Sequence, residues 1–152
     1  VLRADAVGQL GDNLFVNRRN AIQVATGVLR MSARGARSVY CDSLGRIWNA
    51  GENPHGEFGW GSSGLTETVQ TSLISDISQA ASGNGFTILL KTDGSVWASG
   101  RNVSGQLGDN TRTDRATAVP VQLTTGGNLA SFLSVAAGGD HALALKSDGT
   151  LW

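Results

Sequence analysis

A single cysteine, two prolines, two histidines and no net charge set the first limits on this chain. One cysteine excludes a disulfide within the chain and says little about compartment. Cys41 falls in the apolar run Val39–Cys41, where a thiol behaves as a small, buried and inert hydrophobe. Twelve basic residues balance twelve acidic ones. That argues against a general nucleic-acid binder, which needs a basic surface to neutralise phosphates. No apolar run reaches the roughly eighteen residues of a membrane-spanning helix. His55 and His141 stand far apart, so no Ser-His-Asp or Cys-His arrangement can be argued from spacing.

Glycine, by contrast, is abundant, at 21 residues, and it is phased. The string GQLGDN occurs at Gly8–Asn13 and again at Gly105–Asn110, and a degenerate copy, GEFGWG, starts at Gly56. A second marker keeps step with the first, as LGRIW (Leu44–Trp48), DGSVW (Asp93–Trp97) and DGTLW (Asp148–Trp152). Trp48 leads to Gly56 and Trp97 to Gly105 over the same interval. A period of about fifty residues indicates a propeller, a solenoid or an array. The units are approximately 1–48, 49–97 and 98–152. Both ends fall at one phase, inside a predicted strand. The expectation is a piece of a longer array, with a circularly closed or oligomeric unit as the rarer case.

The third unit shows the strand pattern best. Ser131–Ala137 alternates, Gly138-Gly139-Asp140 breaks the run, and His141–Lys146 alternates again before Ser147-Asp148-Gly149 and Thr150–Trp152. Alternating runs joined at Asp-Gly are the strongest short-range hairpin signal, because glycine takes the positive φ of the turn without steric cost. Thr92-Asp93-Gly94 repeats the signal; Leu44-Gly45 keeps the glycine and loses the aspartate. A fourth strand is expected at Val119–Leu123, with counterparts at Ala21–Val24 and about Val69–Leu73. Pro120 cannot donate to a ladder and places its strand at a sheet edge. Thr124–Asn128 looks like a loop insertion. No stretch is long and periodic enough for a helix. The expected class is all-β, with three units of about four strands each, as in propeller blades.

These residues resemble the regulator of chromosome condensation repeat. The resemblance rests on GGDHALALKSDGTLW followed in other units by W-x-x-G-x-N-x-x-G-Q-L-G. Asp148-Gly149, Trp97, Gly100, Asn102, Gly105-Gln106-Leu107-Gly108 and His141 sit on that pattern. It covers the whole chain and implies a β-propeller, in that family one of about seven blades, of which three units are a part. The pattern is weakest at two places: Arg37 and Phe86 stand where His141 stands. The family's best-known activity, nucleotide exchange on a small GTPase, depends on loops outside the repeat, and no segment here matches such a loop.

Several motifs have a structural explanation. GWGSSG (Gly59–Gly64) fits the dinucleotide fingerprint in letters, but that fingerprint needs a helix opening at it. It fills the slot of the GQLGDN loop, with Phe58, like Leu10 and Leu107, plugging the gap between blades. Asp109–Asp114 carries half of a calcium-loop pattern without the closing glutamate; turn capping explains the same oxygens. Asn102-Val103-Ser104 is a glycosylation sequon set in a recurrent motif turn. His141 is expected to hydrogen-bond across blades. Trp48, Trp97 and Trp152 recur at one phase and are packing residues. No catalytic residue, metal site or cofactor is indicated.

Charge and one tryptophan point to a partner surface. Residues 1–50 carry seven arginines against three aspartates, a balance of +4; residues 51–100 carry one lysine against five acids, a balance of −4. Repeats drift in surface charge, and opposite patches can also be read by a partner. Trp60 occupies a loop position where the other units carry Asp12 and Asp109. An off-pattern loop tryptophan is a hot-spot candidate. The expected contact surface is the loop Glu52–Thr68, with Trp60 as anchor and Glu52, Glu57 and Glu67 as the charged rim. The chain reads as a non-catalytic protein-interaction module whose partner is a protein or a neighbouring propeller chain. The alternatives are a guanine-nucleotide exchange factor for a small GTPase and a structural surface or virion component. Blades bury their faces on neighbours and open edges invite pairing. The isolated 152-residue chain is therefore expected not to exist as a stable closed monomer. Sedimentation and calorimetry test this: a monodisperse monomer with cooperative unfolding would contradict it.

Overall fold

The computed structural model describes residues 7–71, 74–122 and 130–152. Strands β1 (Val28–Arg34), β2 (Arg37–Asp42), β3 (Ile47–Asn53) and β4 (Gly64–Thr71) form one antiparallel sheet in that order. Strands β5 (Ile77–Ser82), β6 (Phe86–Lys91), β7 (Val96–Gly100) and β8 (Arg115–Pro120) form a second of the same topology. A third holds β9 (Phe132–Ala137) and β10 (Ala142–Lys146), with Leu151 bridging back to Leu145. No helix occurs among the described residues. Each four-stranded sheet takes its first strands from one sequence unit and its last from the next. Sheets and Trp-to-Trp units are thus out of phase, which a tandem repeat permits because its frame is arbitrary.

The hairpins between second and third strands show how the local sequence builds a blade. Lys91 N donates to Ser95 O at 2.9 Å across a three-residue loop, with Gly94 at φ 78°. Asp93 Oδ1 accepts from Ser95 N and Oγ, and Trp97 Nε1 donates to that same Oγ at 3.1 Å. Asp148, Thr150 and Trp152 repeat this relay. The first hairpin, with Leu44 in the aspartate position, uses Asp42 instead. Its carboxylate accepts from Leu44 N, Arg46 N, Arg46 Nε and, at 2.9 Å, directly from Trp48 Nε1. The missing turn aspartate is thus replaced from two residues upstream.

The sheets stack face to face, so the middle sheet is covered on both sides. Ala80 and Leu89 of the second sheet pack on Val39, Cys41 and Ile47 of the first. Ala81, Ile88, Leu90 and Val96 pack on Phe132, Val135 and Ala144 of the third. Strands covered on both faces read as continuous apolar runs, which is what Ile88–Leu90 is. Cys41 is fully buried, and burial raises its thiol pKa, in keeping with an inert packing role. The innermost strands are tied by polar groups: Gln79 Nε2 donates to Val135 O at 2.9 Å, and its Oε1 accepts from Val135 N and Ser134 Oγ. Close approach fixes Gly51 and Gly100. A Cβ at either would collide with the carbonyl oxygen of Ala36 or Gly85, and both have φ above 100°.

Some expected boundaries shift. The fourth strand lies at Arg115–Pro120 and Gly64–Thr71, earlier than Val119–Leu123 and Val69–Leu73, because pairing with the third strand starts at its last residue, Gly100 with Arg115 and Asn53 with Gly64. Ala21–Val24 is not a strand; the described sheets offer it no partner strand. Pro120 does lie on an edge strand. Thr124–Asn128 lies outside the described residues. His141 is exposed, and its ring lies over Gly138 of its own hairpin.

Asp42 generates an acid-stability prediction. Burial opposes its ionisation, but the hydrogen bonds from Trp48 and Arg46 outweigh that and lower its pKa from 3.8 to about 2. A depressed carboxylate contributes stability above its unfolded pKa and loses it as pH falls through the folded value. Here that contribution is about 2 kcal/mol, and the window runs from pH 3.8 down to about 2. In urea titrations, Asp42→Asn should be destabilised by about 2 kcal/mol at pH 7. The gap between variant and parent should close as the pH approaches 2.

Candidate partner site at the junction of the first two blades

The chain leaves β3 through the loop Pro54–Ser63, which lies on the second blade before returning to β4 in the first. Gly61 N donates to Ala116 O at 2.8 Å, Ala118 N to Gly59 O at 3.2 Å, and Ser99 Oγ to Glu57 O at 2.8 Å. Trp60 bridges to Thr117 of β8. Asn53 holds the loop together: its Oδ1 accepts from Phe58 N and its Nδ2 donates to Ser62 O, both at 3.0 Å. Phe58 is 2% exposed, the plug that the glycine spacing implies. Asn102 and Leu107 repeat the arrangement one blade on. Asn102 is fully buried and donates to Asp109, Thr111 and Thr113, so the asparagine of the sequon is enclosed in the folded chain. Asp109 accepts from Asn102, Thr111 and Arg115; its oxygens cap the turn. Among the described residues no group of three or more metal-ligating side chains forms. The GWGSSG string leads into strand β4, where a nucleotide fingerprint requires a helix.

Two of the three loops carry an aspartate–arginine pair six residues apart, Asp12–Arg18 at 2.6 Å and Asp109–Arg115 at 2.7 Å. The middle loop has Trp60 and Thr66 at these positions, so both partners of the pair are lost together. Trp60 is half-buried and meets Phe58 edge-to-face at 5.5 Å; its indole Nε1 is enclosed without a hydrogen-bond partner. The tip, Gly61–Gly64, is exposed. Glu52 is half-buried on β3. Glu67 lies on β4, and its side chain is outside the described residues.

Glu57 is not a surface rim. It is 1% exposed, and its Oε1 accepts from Arg37 Nη1 at 2.8 Å. Its Oε2 caps His55 N, the turn role that Gln9 and Gln106 play at their own positions. A charge in that role is retained inside because Arg37 pairs with it. Arg37 Nη2 also donates to Gly83 O and Phe86 O of the second blade. Burial pushes the Arg37 guanidinium below its ordinary pKa, and Glu57 pulls it back. Arg37 Nε stays buried without a partner. The +4 and −4 segments therefore meet partly inside the protein. At the next junction Phe86 takes the Arg37 position, lying over Gly83 where a Cβ would collide with the ring, and Gln106 takes the Glu57 position. Around the junction His55 Nδ1 meets Asp114 at 3.0 Å, and Arg101 meets Asp140 at 3.4 Å.

The three stacked sheets with glycine-rich straps define an all-β propeller architecture. A regulator of chromosome condensation (RCC1) repeat model matches residues 93–145, and a second of the same description matches 77–106. Protein RCC2 of Mus musculus is 31% identical over 156 residues, taking in 97% of this chain and 29% of that protein. Regulator of chromosome condensation of Homo sapiens is 29% identical over 154 residues, 96% of this chain and 36% of that protein. Human WBSCR16 superposes with a TM-score of 0.78 at 20% identity, covering 97% of this chain and 39% of its own. Prp20p of Saccharomyces cerevisiae does so at 0.73 and 13% identity, covering 95% and 39%. Residues 77–145 carry RCC1 repeats, and the chain spans about a third of the length of the curated relatives it matches.

The junction can be tested against its neighbour. Glu57→Gln leaves the Arg37 guanidinium buried without its counter-charge and should cost about 3–5 kcal/mol. The triple variant Arg34→Gly, Arg37→Phe, Glu57→Gln rebuilds the pattern of the second junction, with glycine making room for the ring. It should recover to within about 1–2 kcal/mol of the parent, since a packed apolar group replaces a buried ion pair at little net cost. Denaturant midpoints of the two variants decide this.

Proposed function

We propose that this chain is a non-catalytic protein-interaction module that presents its interblade loops on a rigid stack of blades. The observation that carries the reading is the Pro54–Ser63 loop. Its base is fixed by Asn53, Phe58 and three hydrogen bonds to the second blade, while its tip is exposed and flanked by the off-pattern Trp60. A loop held in place loses little entropy when a partner docks. Solved proteins of the same fold support the reading: Prp20p is described with binding properties to Gsp1p and histones, and yeast RCC1 (Prp20) with Kap60 bound. The contact surface is the exposed part of the loop Glu52–Thr68, with Trp60 at its centre and Glu52 and Glu67 beside it.

Trp60→Ala separates contact from packing. Loss of an interface anchor should weaken partner binding by about 2 kcal/mol, or about 30-fold in Kd. Loss of the edge contact with Phe58 should cost only about 1 kcal/mol of stability. Calorimetric titration against histones, an importin and small GTPases, paired with melting curves, measures both. A collapse of the melting temperature with binding per folded molecule unchanged would assign Trp60 to the core. Accelerated nucleotide release from a GTPase in the same panel would mark the chain as an exchange factor instead.

A further inference from the structure

The repeat supplies its own control for distinguishing packing from recognition. Packing residues recur from unit to unit, as Phe58 and Leu107 do, or Trp48 and Trp97. One place departs from this rule at five ionisable positions together. A cleft of about 160 Å³ between the first two blades is lined by Arg34, Arg37, Glu52, His55 and Glu57, with Asn84 on the facing wall. The corresponding residues at the next junction are Gly83, Phe86, Arg101, Ser104 and Gln106, of which only the arginine is charged. Five ionisable side chains have gathered where the corresponding positions at the neighbouring junction hold one, Arg101, which is paired with Asp140 on its facing wall.

The charges restrict what can enter. Arg37 and Glu57 are paired with each other at 2.8 Å, and His55 is paired with Asp114 at 3.0 Å. Arg34, exposed on the β1–β2 turn, and Glu52, half-buried on β3, remain at the cleft with opposite signs. An entering carboxylate meets Arg34 and Arg37 but also Glu52 and Glu57. An entering ammonium meets Glu52 and Glu57 but also Arg34 and Arg37. Either ion carries a like-charge penalty. A neutral planar group with an acceptor and a donor side by side carries none. The volume suits one side-chain head group and is well below that of a cofactor pocket. We propose that this cleft binds a carboxamide, the side chain of an asparagine or glutamine on a protein partner. Its oxygen accepts from Arg34 and its NH₂ donates to Glu52. This assignment rests on reading the Glu52–Thr68 loop as a contact surface and adds the chemistry that the surface selects.

The test uses the full chain and three small probes: propionamide, propionate and propylammonium. Side-chain and backbone ¹⁵N NMR follows the Nε–H groups of Arg34 and Arg37 and the Asn84 amide. Propionamide should shift these signals to saturation, and the two ions should not. Glu52→Ala and Arg34→Ala, both at the accessible edge of the cleft, should each abolish saturation while the remaining spectrum stays dispersed. The triple variant that rebuilds the second junction should be folded and silent. A saturable response to propionate or propylammonium as large as that to propionamide would overturn the assignment, as would a propionamide response that never saturates or survives in both single variants. Because the probe is a small amide, its failure leaves the Trp60 binding measurement untouched, and the two readings fall separately.

Discussion

A four-stranded sheet with apolar side chains on both faces cannot bury them on itself. That constraint governs the whole arrangement. Ile88, Leu90 and Val96 turn one way from the second blade and Leu89 and Ala80 the other, so each blade is finished by its neighbours. The exposed residues of the third blade obey the same rule. Leu143 and Leu145 occupy the positions of Ile88 and Leu90 and stand in solvent, while Ala144, in the position of Leu89, is buried on the second blade. The loops follow from it too. A gap between twisted sheets needs a plug, and Phe58 and Leu107 fill it from loops whose glycines let the backbone approach the next blade closely.

Within that frame the polar groups decide order. Apolar faces of similar blades are nearly interchangeable, and they would tolerate more than one neighbour. Hydrogen bonds between inner strands, as from Gln79 to Val135, fix the height of one blade against the next. The Arg37–Glu57 pair does so with charge and occurs at one junction. A buried ion pair contributes little net stability beside a packed hydrophobe. Its presence here fits a role in specifying which blades meet, and it leaves a polar cleft where the other junction has a phenyl ring.

Internal substitution across the repeats shows how much local sequence can vary when the tertiary demand is constant. The turn carboxylate moves from Asp93 and Asp148 to Asp42 and still holds the indole of the blade tryptophan. The Asp–Arg pair of two loops disappears as a unit in the third, where Trp60 closes the loop against Phe58 instead. In both cases the change at one position makes sense only beside a second change elsewhere. Asp42 lies in β2, two residues before Leu44, and was not legible as the cap because strand residues are read for side-chain alternation.

Period, strand content, hairpin positions and the plugging role of Phe58 and Leu107 were legible in the sequence. Each depends on local chemistry: glycine at positive φ, alternation of apolar residues, and exact recurrence of short strings. Strand limits at Arg115–Pro120 and Gly64–Thr71 were less so, because pairing with a neighbouring strand, not propensity, sets where a strand begins. The candidate site was legible only in its departures from the pattern. Arg37 stood out against His141 and Phe86, and Trp60 against Asp12 and Asp109. Their meaning was not legible, because burial is a property of three-dimensional neighbours. Glu57 looks like a rim charge beside Glu52 and Glu67 in the chain. Folding places it under the second blade against a guanidinium twenty residues away, and only that placement turns dispersed charges into a buried pair and an open cleft.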